Sequence, residues 1–499
     1  MSSKADVTIK NRTTQELKTH VTRYHKVDKK GEPINEKLIP AESQQTFSVK
    51  ANTGNNGELD INLIENSSQV IGQLKLKDIK HPKGNIETTS YRDYIKMSAV
   101  GHDEDKKTKI RQIDVDIENQ TSVTSGWDVV YANQMGVMNK FLTEHIKLIS
   151  HKGLKISSPE LISSSSDKQD IAVLRVHVSG ELKGFPIIQA ECDLTVNLNS
   201  IQGNVKTKGD NLYALTVDFS KIIIEKIELL NIKNPLKFDL PEKEEVEAKI
   251  LETINEAFSE LPAITLDFNF ALPVSIEGAV VKLAFVNNET TPERSFLAFL
   301  IGFESVGIYL LSEDVIADSE GCKSSVVLSN ALIMNYLKNV LITALTEHDI
   351  YKGEGFLAIK KESNPLILKS IKNSEEFKQE KGVVVKIDKE GLTSQFSSSK
   401  LEIEVDIRYS SIGRMSPWGT LPVILTVSFL AKNDKLELDC LTKMGENKGG
   451  LSCVTSKVKE VVDDVIKQLN GEILFPIPSF AVKNVSAPSY IQLSGEIKG

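Results

Sequence analysis

The chain has 499 residues, 40% of them hydrophobic and 26% charged, an ordinary globular balance in a length that suggests about three domains at ~100–200 residues each. Its net charge of −8 argues against a nucleic-acid footprint. Four scattered cysteines (Cys192, Cys322, Cys440, Cys453) form no CxxC pair, which excludes a disulfide framework and leaves buried free thiols.

Met1 to Lys10 lacks the apolar stretch of a secretory signal, and no uncharged apolar run of about 18 residues follows. The protein is therefore expected to be made in the cytoplasm without a signal peptide, and any release to follow a non-classical route. Residues 1–118 read as a β-sandwich. Val7–Lys10, Thr19–Tyr24, Gln45–Ala51, Leu59–Ile64, Val70–Leu76, Tyr94–Ala99 and Gln112–Ile117 are short alternating or β-branched runs, separated by turn clusters such as 52–57 and 81–85. The segment carries 20 Lys/Arg and 18 Asp/Glu, so it is close to neutral. Polar, aperiodic residues 119–126 read as a linker.

A helix is expected next, with Asp128 as its N-cap and Met138, Phe141, Leu142, Leu148 and Ile149 on one apolar face. His145 falls on that face and reads as a core histidine. A second helix is expected over Glu242–Leu261 between Pro241 and Pro262, with Val246, Ile250, Ile254, Ala257 and Phe258 inward. Phe296 to Leu311, interrupted by Gly302, Glu304 and Gly307, suits a bent strand buried on both faces. A third helix, Leu328–Glu347, is apolar almost all round, and a fourth runs from Thr455 to Leu469. Between them lie alternating strands at Ile171–Leu182, Ala190–Leu198, Leu212–Phe219, Val280–Val286, Leu401–Ile407, Val423–Leu430 and Lys435–Leu441.

The stretch opening this region returns about two hundred residues later. Val129-Val130, Asn133, Met138-Asn139 and Leu142-Thr143-Glu144-His145 recur in order as Val326-Val327, Asn330, Met334-Asn335 and Leu345-Thr346-Glu347-His348. The offset runs 197, 196 and then 203, far beyond the ~20–50-residue period of a solenoid, so it marks a duplicated domain. The expected architecture is α+β but mostly β: a sandwich at 1–118, the linker, then two helix-wrapped antiparallel half-domains at 127–320 and 321–499. A helix does not fill such a rolled sheet, which leaves room for an elongated apolar cavity.

Catalytic patterns are missing. The eight histidines are scattered, and HExxH, GxxxxGK[ST], GxGxxG and GxSxG do not occur, so neither an enzyme nor a cofactor or metal site is expected. Met415-Ser416-Pro417-Trp418-Gly419 places one of two tryptophans between strands. Met415 and Trp418 are the candidate contacts for a membrane interface or a protein partner, unless Trp418 folds back on its sheet.

Gly126-Trp127-Asp128-Val129-Val130-Tyr131-Ala132 resembles the opening of the clostridial P-47/OrfX family, encoded beside botulinum neurotoxin genes and in insecticidal toxin loci. The resemblance covers 126–499 and implies the tubular lipid-binding (TULIP) fold, whose members hold lipids in apolar tunnels. The N-terminal domain is similar to aegerolysin-type membrane-associating sandwiches. The implied function is a non-enzymatic, membrane-associating, lipid- or hydrophobic-ligand-binding accessory protein of a bacterial toxin system. The alternative is a structural protein that binds another toxin component without lipid. The expected partners are a lipid, a membrane surface and neighbouring toxin-cluster proteins. Met138, Phe141, Leu142, Phe296, Leu297, Leu300, Ile333 and Leu337 are the candidate lining residues.

Overall fold

The computed structural model describes residues 4–333 apart from 29–32, 53–54, 66–69, 91, 103, 105–109, 146–147, 163–167, 182–187, 210–211, 234–242, 261–263, 272–275, 277, 303–310 and 330–331; beyond 333 it describes 367–369, 382–387, 393–397, 400–412, 418–445, 448–449, 463, 480–486 and 490–497. The chain is mostly β. It divides into two compact units, one of 1–126 with 306–312, the other of 127–305 with 313–499.

The first unit holds β1 (Lys4–Arg12), β2 (Leu17–His25), β3 (Leu38–Ile39), β4 (Ser43–Lys50), β5 (Glu58–Glu65), β6 (Val70–Leu76), β7 (Ile86–Ser90), β8 (Ile95–His102) and β9 (Arg111–Asn119). They form a four-stranded sheet, β4-β1-β9-β8, and a five-stranded sheet, β3-β2-β5-β6-β7, that share one apolar core. Alternation causes this: Ala5, Val7 and Ile9 of β1 and Ile113, Val115 and Ile117 of β9 point inward from parallel neighbours, against Leu59, Ile61 and Leu63 of β5. The segment read as a linker is packed instead. Ser122, Val123, Thr124 and Ser125 are buried, and Asp93 accepts hydrogen bonds from the Thr124 hydroxyl (2.6 Å) and amide (3.2 Å). Short polar side chains satisfied by local partners can be buried where a bare polar count reads them as solvated.

The second unit begins with β10 (Val129–Gln134), where a helix was expected, and α1 (Met135–His145) follows it. Asp128 does not cap that helix; its carbonyl accepts from the Ser329 amide at 2.9 Å. A run of Val-Val-Tyr-Ala favours a strand buried on both faces over the first turn of a helix, and the helical spacing begins only at Met135. Leu148 and Ile149, expected on the helix, open β11 (Leu148–His151). Then come β12 (Leu154–Ile162), β13 (Ile171–Gly180), β14 (Ile188–Asn197), β15 (Gln202–Gly209), β16 (Leu212–Asp218), β17 (Ile223–Lys233), α2 (Lys243–Ser259), β18 (Ile264–Ala271), β19 (Val280–Val286), β20 (Phe296–Gly302) and β21 (Ser324–Ser329). The third helix is corrected at its start, since β21 takes 324–329 and only Leu332 and Ile333 are seen helical; its remainder and the fourth helix lie outside the described residues, save Asp463. The later strands are β22 (Ile367–Lys369), β23 (Gly382–Ile387), β24 (Thr393–Ser397), β25 (Lys400–Ile412), β26 (Trp418–Lys432), β27 (Lys435–Met444), β28 (Lys448–Gly449), β29 (Phe480–Ser486) and β30 (Tyr490–Ile497).

A nine-stranded sheet, β18-β16-β15-β19-β20-β10-β21-β30-β29, draws on both copies of the repeat. Its register is symmetric about the antiparallel rung Val130↔Val327, two residues that are themselves 197 apart. Val129 pairs with Leu328 and Tyr131 with Val326, so each pair maps onto the other by the 197-residue offset. The outward neighbours match too: β20 flanks β10 as β30 flanks β21, and β19 and β29 come next. These six strands, β19-β20-β10-β21-β30-β29, are thus arranged about a local dyad between β10 and β21.

Candidate functional site

The five-stranded sheet β11-β12-β13-β14-β17 has an apolar inner face and a polar outer one. Ala172, Leu174, Val176 and Val178 of β13 and Ala190, Cys192, Leu194 and Val196 of β14 point inward. Arg175 and His177 of β13 and Glu191 and Asp193 of β14 point outward, as a two-residue pleat demands. Burial pushes the Cys192 thiol up to about 12, so it stays a neutral apolar filler. On the outer face Arg175 donates to both carboxylate oxygens of Asp193, at 2.7 and 2.9 Å, and that bond raises the affinity of Arg175 for its proton.

Helix α2 straps the sheet from edge to edge. Near its start Glu247 accepts from the backbone amide of Leu229 on β17 (3.0 Å), while near its end Glu256 and Glu260 meet the two ring nitrogens of His151 on β11 (3.3 and 3.1 Å). Glu247 to Glu260 spans about 20 Å at 1.5 Å per helical residue, against about 19 Å for four inter-strand spacings, so one helix suffices to cross the sheet. Its stripe of Val246, Ile250, Ile254, Ala257 and Phe258 is buried on the inner face. Helix α1 is tied to β12 through Asn139, whose amide donates to the Leu161 carbonyl and accepts from the Leu161 amide.

The candidate lining residues divide. Met138, Leu142, Leu297 and Ile333 are buried in one large apolar core of the second unit, and Phe141 packs half-buried against it. Phe296 and Leu300 are equally buried but lie on the opposite face of β20 from Leu297, Phe299 and Ile301, so the eight residues cannot line one cavity. Treating an all-apolar strand as one surface overlooked the pleat. Tyr131 stacks on Phe299 with centroids 6.2 Å apart, and burial raises its phenol pKa. Leu337 and Met415 lie outside the described residues. Trp418 is the first residue of β26, paired with Ser410, rather than a member of a free loop. The Trp127 of the sequence motif is buried.

One cleft adjoins the inner face. It encloses about 770 Å³ where β13, β14 and β17 reach the same end of the sheet, and its walls come from both faces. Val178, Ala190 and Ile232 belong to the apolar side, while His177, Glu191, Asn231 and Lys233 supply polar groups. A bulge helps to shape it: pairing slips between Glu191↔Asn231 and Cys192↔Leu229, which leaves Leu230 unpaired and 39% exposed. The slip in Ile-Glu-Leu-Leu-Asn is the one sequence signal that could have pointed here. No group of three or more His, Cys, Asp or Glu among the described residues is placed to hold a metal, and no described helix is long and apolar enough to cross a membrane.

No family model matches the chain, and no curated protein matches it. Among solved structures, P47 from Clostridium botulinum A2 overlaps 75% of this chain and 98% of its own at 14% identity, with a TM-score of 0.40. Lipopolysaccharide binding protein overlaps 75% of this chain and 100% of its own at 9% identity (TM-score 0.26), and IP-1A from Alcaligenes faecalis overlaps 24% and 92% at 13% identity (TM-score 0.18).

Proposed function

We propose that the second unit binds a hydrophobic ligand, an acyl chain, on the inner face of the strapped sheet, and that the cleft at the end of β13, β14 and β17 is its entrance. The observation that carries this is the continuity of the cleft with the core: Val178, Ala190 and Ile232 line the one and pack in the other. Its volume of about 770 Å³ falls within the ~300–1,000 Å³ range of small-molecule sites. Burying an acyl chain contributes about 0.8 kcal/mol per methylene, so a dozen methylenes supply affinity without any catalytic group. The reading is of a binding protein that performs no reaction. The finer reading, an accessory role beside a bacterial toxin and at a membrane, rests on the sequence resemblance of Gly126 to Ala132.

Titrating the full chain with a naturally fluorescent polyene fatty acid tests the entrance. Emission should rise saturably for the native protein and by at least fivefold less for Ala190→Trp, which fills the cleft wall. Equal titrations for the two proteins, with Ala190→Trp shown to be folded by its circular dichroism, contradict the assignment.

A further inference from the structure

The cleft is not uniformly apolar, and its polar groups are sorted. Gln189 pairs with Lys233 and Glu191 with Asn231 on neighbouring strands. Glu191 and Lys233 are therefore diagonal neighbours, about 7–8 Å apart at the backbone, within reach of one small polar group. Asn231 donates to Glu191 Oε2 at 2.8 Å. That bond fixes the carboxylate and leaves the side-chain oxygens Glu191 Oε1 and Asn231 Oδ1 as two acceptors without a donor among the described residues. Lys233 has no ion pair among the described residues, although Glu191 stands diagonally across from it.

Resting on the reading above, we propose that this cleft holds the head group of a zwitterionic amphiphile, with a primary ammonium on Glu191 and Asn231 and an anionic phosphate on Lys233. The class is a glycerophospholipid with an ethanolamine head. A carboxylate and a lysine placed side by side without closing on each other match a ligand carrying both signs, and a purely anionic head would meet Glu191. The choice of ethanolamine over choline follows from the walls. Quaternary ammonium groups are held by aromatic faces, whereas a primary ammonium needs hydrogen-bond acceptors. The ten residues lining the cleft include acceptors at Glu191, Asn231 and Gln189 and no Phe, Tyr or Trp. Leu230, exposed by the bulge, and Ile232, packed against the apolar core, supply apolar surface beside the head-group site.

The full chain is incubated with vesicles of equal parts phosphatidylethanolamine, phosphatidylglycerol and phosphatidylcholine, re-isolated, and its lipid extracted and measured by mass spectrometry. The expected result is at least threefold enrichment of the ethanolamine lipid. Glu191→Gln should bring the ratio of ethanolamine to choline lipid captured down to about one, and Lys233→Gln should lower capture of all three phospholipids. Retained lipid without ethanolamine enrichment overturns the head-group assignment alone, as does enrichment that survives in Glu191→Gln. Capture of no lipid of any class overturns the binding function itself, and the head-group assignment with it. Glu191 is half-buried and Lys233 exposed, both substitutions are close in size to the native residue, and matching melting temperatures establish that the variants are folded.

Discussion

Asp93 shows how much a single side chain fixes at the end of the N-terminal unit. Burial raises its pKa, opposed by hydrogen bonds from Thr124 and Ser122. A carboxyl whose folded pKa is raised prefers to be protonated in the folded state. The folded protein therefore gains relative to the unfolded chain as pH falls through the raised value, and carries the full cost of the buried charge above it. The stability of the native protein relative to Asp93→Asn, from urea unfolding between pH 3.5 and 7, should fall as pH rises. A flat or rising difference would contradict the burial of this carboxylate. Gly180 is fixed just as firmly by its backbone. It sits at φ 140, and an added Cβ would lie 2.1 Å from the Gly153 carbonyl oxygen. Gly180→Ala should cost more than about 1 kcal/mol in the same assay, because strain there cannot be relieved by a side-chain rotation.

At the scale of elements, the strap α2 was legible from the sequence almost to its ends, because Pro241 and Pro262 bracket a stripe at helical spacing. The strands Val70–Leu76 and Val280–Val286 were legible to the residue, since each is a short run rich in β-branched and apolar residues between turn signals. The start of α1 was not. Val129 to Ala132 is apolar without a break because both faces of this strand are buried, and such a run carries no period that separates strand from helix. The cleft was illegible for a different reason: Glu191, Asn231 and Lys233 meet only across strands forty residues apart in the chain, and a bulge sets their register. The strap gives a prediction of its own. Ile254 is fully buried beneath it, and Ile254→Ala should cost about 2–5 kcal/mol, whereas Glu247→Ala should cost about 1–3 kcal/mol by leaving the Leu229 amide without its partner. Hydrogen exchange of that amide should speed up in Glu247→Ala and stay unchanged in Glu247→Gln, which keeps an acceptor.

For the molecule as a whole, the sequence repeat matters because its equivalent strands β10 and β21 lie side by side about Val130↔Val327. The N-terminal sandwich has a separate core, so a chain beginning at Trp127 is expected to fold and to keep its ligand. The full chain should melt in two transitions, and the shortened chain should reproduce one of them. The second unit is proposed to carry a hydrophobic ligand against its strapped sheet. Native mass spectrometry of the full chain purified without detergent tests it most directly. The expected result is a population heavier than the apoprotein by the mass of one or two lipids, a shift that disappears after solvent extraction and returns on incubation with vesicles. A single species at the sequence mass, before and after vesicles, would contradict it.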